Sequence, residues 1–326
     1  MPESRLTIID TTSKKQDPTY ESSRNARSRE LQAKFERIWL VNPERFNPLR
    51  NCLERERLDR TWNLMKKHSK IVGKRAVDIG CAGGVFSRRM RDAGAIVESV
   101  DIAENALKKF RELGADQIEL RREVMPLTQL HDQCYEIVVC TDVIAEVPKE
   151  DYRLFFAELS RIITTDGILV FSSPIDIATV GGIDRLIELA QSEFDIIEDA
   201  ASYHALYLRC KRILKTPFCF IDGWKNPNFR KAELDSRRGL SRAWFWLNSS
   251  PLLVWFWYSG KVLMQPFLKL LNNNKSLLLR LEKMSRFLWD QDGISHYFFV
   301  AKRRPLQRFN PEDIPLERPK RKEVWD

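Results

Sequence analysis

The chain lacks the features that would mark it as secreted, membrane-spanning or metal-bound. Its six cysteines, Cys52, Cys81, Cys134, Cys140, Cys210 and Cys219, show no C-x-x-C spacing. That pattern suits reduced thiols better than a disulfide frame or a zinc site, and no metal is expected. No uninterrupted run of 18 apolar residues occurs, and the opening MPESRLTIIDTTSKK has no basic stretch followed by an apolar one. Neither a membrane span nor a secretory signal is indicated, so the expected location is cytoplasmic, with the inner face of a membrane as an extension of it.

Charge is present in quantity but unevenly placed. Of 326 residues, 54 are Lys or Arg and 45 Asp or Glu, a net +9. Residues 71–202 carry 14 basic and 24 acidic side chains, a balance of −10, whereas residues 203–293 carry 16 and 6, a balance of +10. Such asymmetry bears on partners and not on fold.

Along the chain, residues 1–27 are polar without an apolar period and read as a mobile arm. Helical text begins at Ser28, and in residues 52–70 Leu53, Leu58, Trp62 and Met65 lie near helical spacing, with Gly73 ending the run. Strand and helix signals then alternate: AVDIG, AIVESVDI, QIEL, EIVVCTD, GILVFSSP and FDIIEDA are strand-like, with helices between most of them, and HYFFVAKRR at 296–304 makes a seventh. The expected fold is therefore α/β, a doubly wound, seven-stranded, mostly parallel sheet, with a mainly helical insertion before the last strand. Residues 28–202 form the expected core, 203–293 the insertion, 294–304 the last core strand and 305–326 an extended tail. Gly94, Gly114 and Gly167 each follow a helical run, where a residue tolerating positive φ stops the last turn.

The first strand runs directly into Asp78-Ile79-Gly80-Cys81-Ala82-Gly83-Gly84 before a helix. Small residues at such a turn let a ligand approach the helix N-terminus at the carboxyl edge of the sheet. The second strand ends at Asp101, a carboxylate placed to accept hydrogen bonds from a ribose diol. A nicotinamide dinucleotide would use similar features. Here, however, G-x-G-x-x-G is broken by Ala82 and Val85, and Asp78 at the turn repels a pyrophosphate while suiting a cationic sulfonium and ammonium.

AVDIGCAGGVFSRRM, VESVDIAENAL, YEIVVCTDVIAEVP and LSRIITTDGILVFSSP resemble, in order, spacing and residue type, the successive motifs of class I S-adenosylmethionine (SAM) dependent methyltransferases, above all the branch modifying small molecules, quinones and lipids. The resemblance covers residues from about 50 to 200 and the last strand. It implies SAM as cofactor. Asp78, Gly80, Cys81, Ala82 and Gly84 would surround the methionine moiety, Asp101 would hold the ribose hydroxyls, and Ile102 would flank the adenine. Glu123 and Val124 would lie near the adenine amine, with Cys140 or Thr141 beside the sulfonium. Ala82 stands where the family has a central glycine, and the acidic site after strand three is shifted into Arg121-Arg122-Glu123. For Asp78 a helix-capping carboxylate is the plainer reading, and for Cys81 a buried filler.

Methyl transfer from a sulfonium is an in-line displacement, so the protein must chiefly hold the acceptor and exclude water. A base is needed only if the acceptor loses a proton. Glu146 stands where the family often has a histidine, and Glu146 and Asp142 are candidates to orient or deprotonate the acceptor, or else to cap the helix near Pro148. Tyr203 and His204 follow strand six on the expected acceptor side, where a lone histidine also serves as hydrogen-bonded structure. His68 and His131 have no supporting context.

Residues 203–293 hold six of nine tryptophans and 16 of 34 aromatic residues. In AWFWLNSSPLLVWFWYSGKVLMQPFLKLL, Asn248 to Pro251 and Pro266 interrupt the apolar runs, which are too short to cross a bilayer and suited to its interface. The next segment places Leu277, Leu281, Met284 and Leu288 on one face, with basic residues elsewhere. Three readings stand: a lid over the active site, a lid that also docks through 240–289 on an anionic membrane, or a nucleic-acid surface. The expected activity is SAM-dependent methylation of a small-molecule or lipid-like acceptor; an RNA-directed methyltransferase and a non-catalytic SAM-binding scaffold are the alternatives. The oligomeric state is not legible.

Overall fold

The computed structural model describes residues 18–175 and 181–305, with side chains from residue 25 onward. Alternation of side-chain facing sets the architecture. In β1 (Arg75–Ile79), Val77 and Ile79 enter one core while Ala76 enters the other. The same split recurs in β4 (Tyr135–Thr141), with Val138 and Cys140 against Ile137 and Val139, and in β5 (Ile163–Pro174), with Leu169 and Phe171 against Ile168 and Val170. Strands buried on both faces read as continuous apolar runs, which is why these three were so plain in the sequence.

With β2 (Ile96–Asp101), β3 (Ile118–Arg122), β6 (Phe194–Ser202) and β7 (His296–Arg303), the strands are ordered β3-β2-β1-β4-β5-β7-β6. Pairing is parallel from β3 to β5, and β7 runs antiparallel to both neighbours. Phe171 and Phe299, directly opposite each other, stack at 4.8 Å. The chain winds outward in opposite directions from β1 and β4, so a crevice opens at their carboxyl ends.

The helices α3 (Val85–Asp92) and α4 (Glu104–Glu112) end as expected, before Gly94 at φ +90° and Gly114 at φ +97°. Gly167 does not have that role. Helix α5 (Tyr152–Ile162) gives way directly to β5, and Gly167 lies inside the strand beside a register shift opposite Tyr135. A Cβ there would come within 2.6 Å of Ile163 Cγ1 and 3.1 Å of the Tyr135 carbonyl, so close backbone approach explains the glycine. Helix α6 (Ile183–Gln191) leads to β6.

Before the sheet lie α1 (Pro18–Val41) and α2 (Cys52–His68), the latter capped by Asn51, whose side chain accepts from the Glu54 amide. Helix α1 begins ten residues before Ser28, so residues 18–27 of the expected arm are helical; residues 1–17 and the expected tail beyond residue 305 lie outside the described residues. The helix is polar on most of its circumference and offers no period to read. It is held by Trp39 against Phe46, Ala103 and Ala106, and by Glu36. The Glu36 carboxylate accepts from the amides of Glu104 and Asn105 at 2.7 and 3.0 Å, capping α4, whose own N-cap residue Ala103 supplies no side-chain acceptor.

The insertion is helical, as expected: α7 (Ala205–Lys225), α8 (Pro227–Ser236), α9 (Gly239–Asn248), α10 (Pro251–Asn273) and α11 (Lys275–Trp289). Pro251 opens α10, but Pro266 does not interrupt it. On α11 the buried face is centred on Leu278 and Ser285, while Met284 and Leu288 are exposed because the helix leans on α2 and α7 with its other side. Tyr207, Leu271 and Leu278 pack against Cys52 and Leu53 of α2. Beside them Arg60 grips Glu282 through two bonds of 2.7 and 2.6 Å. Among the described residues no helix is long and apolar enough to cross a membrane.

Candidate active site

A cavity of about 490 Å³ opens at the carboxyl ends of β1, β2 and β4. Its floor is the turn after β1. Gly80 at φ +74° presses against Val143, whose Cγ2 would lie 2.4 Å from any Cβ, and Gly84 at φ +70° sits with the Phe110 ring 2.1 Å from where a Cβ would be. Neither position admits another residue without displacement. Ala82 also adopts a left-handed conformation, φ +51°. The structure thus explains why a glycine suits that position in the resembling family.

Asp101 fastens this turn. One carboxylate oxygen accepts from the Ala82 amide and the other from Ala103, both at 2.9 Å. Asp78 accepts a hydrogen bond from Ser87 Oγ in the first turn of α3, so it has the expected tie to that helix while its side chain also borders the cavity. Both carboxyls are nearly inaccessible, and burial pushes each up to about 6. Two partly starved carboxylates beside one cleft favour a cationic ligand.

The opposite wall carries a second polar group. Asp142, just past the end of β4, has a non-glycine φ of +62° and turns a half-exposed carboxylate into the cavity. His296 Nε2 lies 2.9 Å from Asp142 Oδ1, and the imidazole is 1% exposed. Desolvation would raise the Asp142 carboxyl, but His296, Arg57 and Ser172 outweigh it and hold it below the ordinary range. Burial lowers the His296 imidazole more than Asp142 raises it. At neutral pH the pair is a carboxylate accepting from a neutral imidazole. Phe35, Trp39 and Phe46 from the N-terminal region and Glu54, Arg57, Leu58 and Thr61 from α2 complete the walls.

Of the residues singled out in the sequence, Asp78, Gly80, Cys81, Ala82, Asp101, Ile102, Glu123, Thr141, Asp142 and Glu146 border this one cavity. Cys81 is buried, and burial pushes its thiol well up, in keeping with the filler reading. Glu123 accepts from the Gln129 amide at 3.0 Å, and Glu146 pairs with Lys34 at 2.5 Å. Three of the expected cofactor residues do not border it: Gly84 acts through the turn, Val124 lies beyond, and Cys140 is fully buried in the strand. His204 does not border it either. It is fully buried, neither ring nitrogen has a hydrogen-bond partner among the described residues, and Glu282 is 3.8 Å away. Burial pushes its imidazole down to about 3, so it is neutral structure beside the α2–α11 junction. The histidine that does reach the cavity is His296, which opens a strand alone and carries no local signal in the sequence.

Residues 77–171 match the family model described as a methyltransferase domain. Over 151 residues the chain is 32% identical to a ubiquinone biosynthesis O-methyltransferase of Shewanella sp. (strain ANA-3), covering 43% of this chain and 60% of that one. A ubiquinone biosynthesis O-methyltransferase of Bordetella avium (strain 197N) is 31% identical over 114 residues, 34% of this chain and 46% of the relative. The match thus spans less than two thirds of the length of these relatives. Among solved structures, the N-methyltransferase NodS from Bradyrhizobium japonicum WM9 in complex with S-adenosyl-l-homocysteine aligns with a TM-score of 0.47 at 17% identity, over 52% of this chain and 89% of that chain. The residues matched by the family model build β1 through β5, the glycine turn and the carboxylate-bearing strand ends, so the part of this chain that forms the cavity floor is the part that is similar to a methyltransferase domain.

Proposed function

We propose that this chain transfers a methyl group from SAM to an oxygen of a small, lipid-like acceptor. The observation that carries the reading is the two-ended cavity, with the Asp78 and Asp101 carboxylates at one end and the Asp142–His296 pair at the other. The residues present fit the cofactor. Buried carboxyls raised to about 6 suit a ligand bearing a sulfonium and an ammonium, and the left-handed turn leaves the floor free of bulky side chains. Asp78, Gly80, Cys81, Ala82 and Gly84 would hold the methionine part, Asp101 the ribose, Ile102 and Glu123 the adenine, and Thr141 the region of the sulfur. SAM supplies an electrophilic methyl group whose displacement requires the acceptor in line.

Asp142 and His296 would serve the acceptor. A hydroxyl that begins to form a bond to carbon becomes strongly acidic, so a carboxylate of low pKa suffices to take its proton. His296 donates to Asp142 and fixes the carboxylate's orientation, and its burial keeps water from competing. The curated relatives are named as O-methyltransferases, which supports oxygen over nitrogen. Phe35, Trp39, Phe46 and Leu58 in the walls support an acceptor with an apolar body. Residues 28–202 with the last strand would form the catalytic unit, and 203–293 a unit that braces α2 behind the acceptor wall.

The test is transfer of label from SAM to a panel of hydroxylated aromatic lipids, amines and tRNA. Label is expected in the hydroxylated aromatics and should be lost in Asp142→Asn. Label in amines or RNA alone, or tight SAM binding with no demethylated cofactor ever released, would refute the reading.

A further inference from the structure

Helix α10 has two apolar faces, and the protein covers one. Val254, Leu268 and Leu271 turn inward with Trp257, which packs on Phe220 of α7. On the opposite side Leu252, Trp255, Phe256, Val262, Leu263, Phe267 and Leu270 are between 53% and 87% exposed. Their spacing follows the helical repeat from residue 252 to 270, so they form one stripe about 27 Å long at 1.5 Å per residue. The preceding helix α9 adds Leu240, Trp244 and Leu247, at 91%, 59% and 46% exposure. A contiguous apolar face of this extent marks an interaction site.

The charge beside the stripe identifies its partner. From residue 236 to 281 there is no Asp or Glu, while Arg237, Arg238, Arg242, Lys261, Lys269, Lys275 and Arg280 all fall in that span. Arg238, Arg242, Lys269 and Arg280 are exposed, whereas Arg237 pairs with Glu233 at 2.6 Å and Lys275 with Glu56 at 2.7 Å. A second copy of the chain would bring two basic faces together, which mutual repulsion opposes. Single-stranded nucleic acid favours aromatic platforms in a basic groove, yet this surface is the convex side of a helix, and four of the seven α10 residues are aliphatic. A helix lying in the plane of an anionic leaflet meets every demand: aliphatic and Phe side chains at the acyl boundary, tryptophans at headgroup level, and cations against the anionic headgroups.

We propose that α9 and α10 dock the protein in the interface of a bilayer containing anionic lipids, with the outer face of α10 inserted. The inner face rests on α7, which shares an apolar cluster with α2, and α2 carries Glu54, Arg57 and Leu58 in the cavity wall. The docked helix is therefore one packing layer from the site where an acceptor would bind. This inference does not rest on the methyl-transfer reading.

The test uses the full chain with sedimented vesicles of phosphatidylcholine, with and without one quarter phosphatidylglycerol, at low and high salt. Binding to the anionic vesicles is expected, weakened by salt, with a blue shift of tryptophan fluorescence. Leu252→Ser with Trp255→Ser and Phe256→Ser should reduce the partition constant at least tenfold. Val262→Ser with Phe267→Ser is a second variant on the same stripe, and SAM affinity by calorimetry should stay unchanged in both, reporting an intact core. No vesicle binding by the wild-type chain overturns the proposal, as does binding that neither set of substitutions weakens. A concentration-dependent dimer abolished by the same substitutions, or retention by RNA without retention by vesicles, would assign the stripe to another partner and overturn it equally. Loss of docking with SAM affinity intact leaves the methyltransferase reading untouched.

Discussion

Lowering the pH should weaken cofactor binding steeply over a range where the fold survives. Asp78 and Asp101 are each raised to about 6 in the ligand-free protein because burial penalises the charged carboxylate. A sulfonium and an ammonium in the cavity would favour the ionised forms and pull both pKa values down. The affinity is therefore full above pH 6 and falls as pH drops through it. If both carboxyls fall below about 4 in the complex, each contributes about a tenfold loss between about pH 7 and about pH 5, or roughly 1.4 kcal/mol. Together the pair gives a loss on the order of a hundredfold, reduced to about tenfold in Asp78→Asn, where one titrating group remains. Calorimetric titration with SAM across this range measures it, and the demethylated cofactor, which lacks the sulfonium charge, should show a shallower slope. In the unliganded protein the sign is opposite. A folded pKa raised above the ordinary 3.8 gives stability that is present at low pH and lost as pH rises through 6, so cofactor should raise the melting temperature more at neutral pH than at pH 5. SAM affinity that is flat from pH 7 to pH 5 in a folded protein would refute the placement of Asp78 beside the cationic part of the cofactor and of Asp101 on its ribose.

Gly84→Ala forces a Cβ to within 2.1 Å of the Phe110 ring at a φ of +70°; left-handed strain and overpacking together should cost about 2–4 kcal/mol in urea unfolding. Asp142→Asn or His296→Phe should lower kcat by roughly 10²- to 10⁴-fold with SAM affinity little changed, a split that a purely structural pair would not produce. Arg60→Met leaves Glu282, only 12% exposed, without its bidentate partner; a loss of about 3–5 kcal/mol is expected in chemical denaturation, largely recovered in the double variant with Glu282→Leu.

The sheet was legible because its central strands are apolar on both sides and its turns are closed by Gly94 and Gly114. The glycine-turn end of the cavity, the one proposed for the cofactor, was legible for a related reason: Asp78, Gly80 and Asp101 stand at strand ends, and strand ends converge on one edge in a parallel sheet. At the other end Asp142 and Glu146 were legible as acidic residues just past a strand, but His296 was not. It is 154 positions away from Asp142 in sequence, and it reaches the carboxyl edge only because β7 runs against the other strands and so brings its first residue there. Helix α1 escaped notice from residue 18 to 27 because its stability comes from tertiary contacts such as Glu36 on α4 and not from a pattern along itself. The depth of His204 is not written in the sequence: two residues past a strand end, a histidine is as readily under the surface as on it.

The position of β7 also dictates an order of events during synthesis. β5 and β6 are not neighbours; each pairs with β7 alone on that side of the sheet. A growing chain that has emerged as far as residue 202 therefore carries β5 with an unpaired edge, and it must thread the five helices of the insertion before the strand that fills the gap arrives. The turn and carboxylates at β1 and β2 can be assembled early, whereas the Asp142–His296 pair cannot exist until residue 296 is in place. A nascent or clipped chain would accordingly have the floor of the cavity and no finished wall opposite it, with an open strand edge that is a natural target for chaperones or for misassociation.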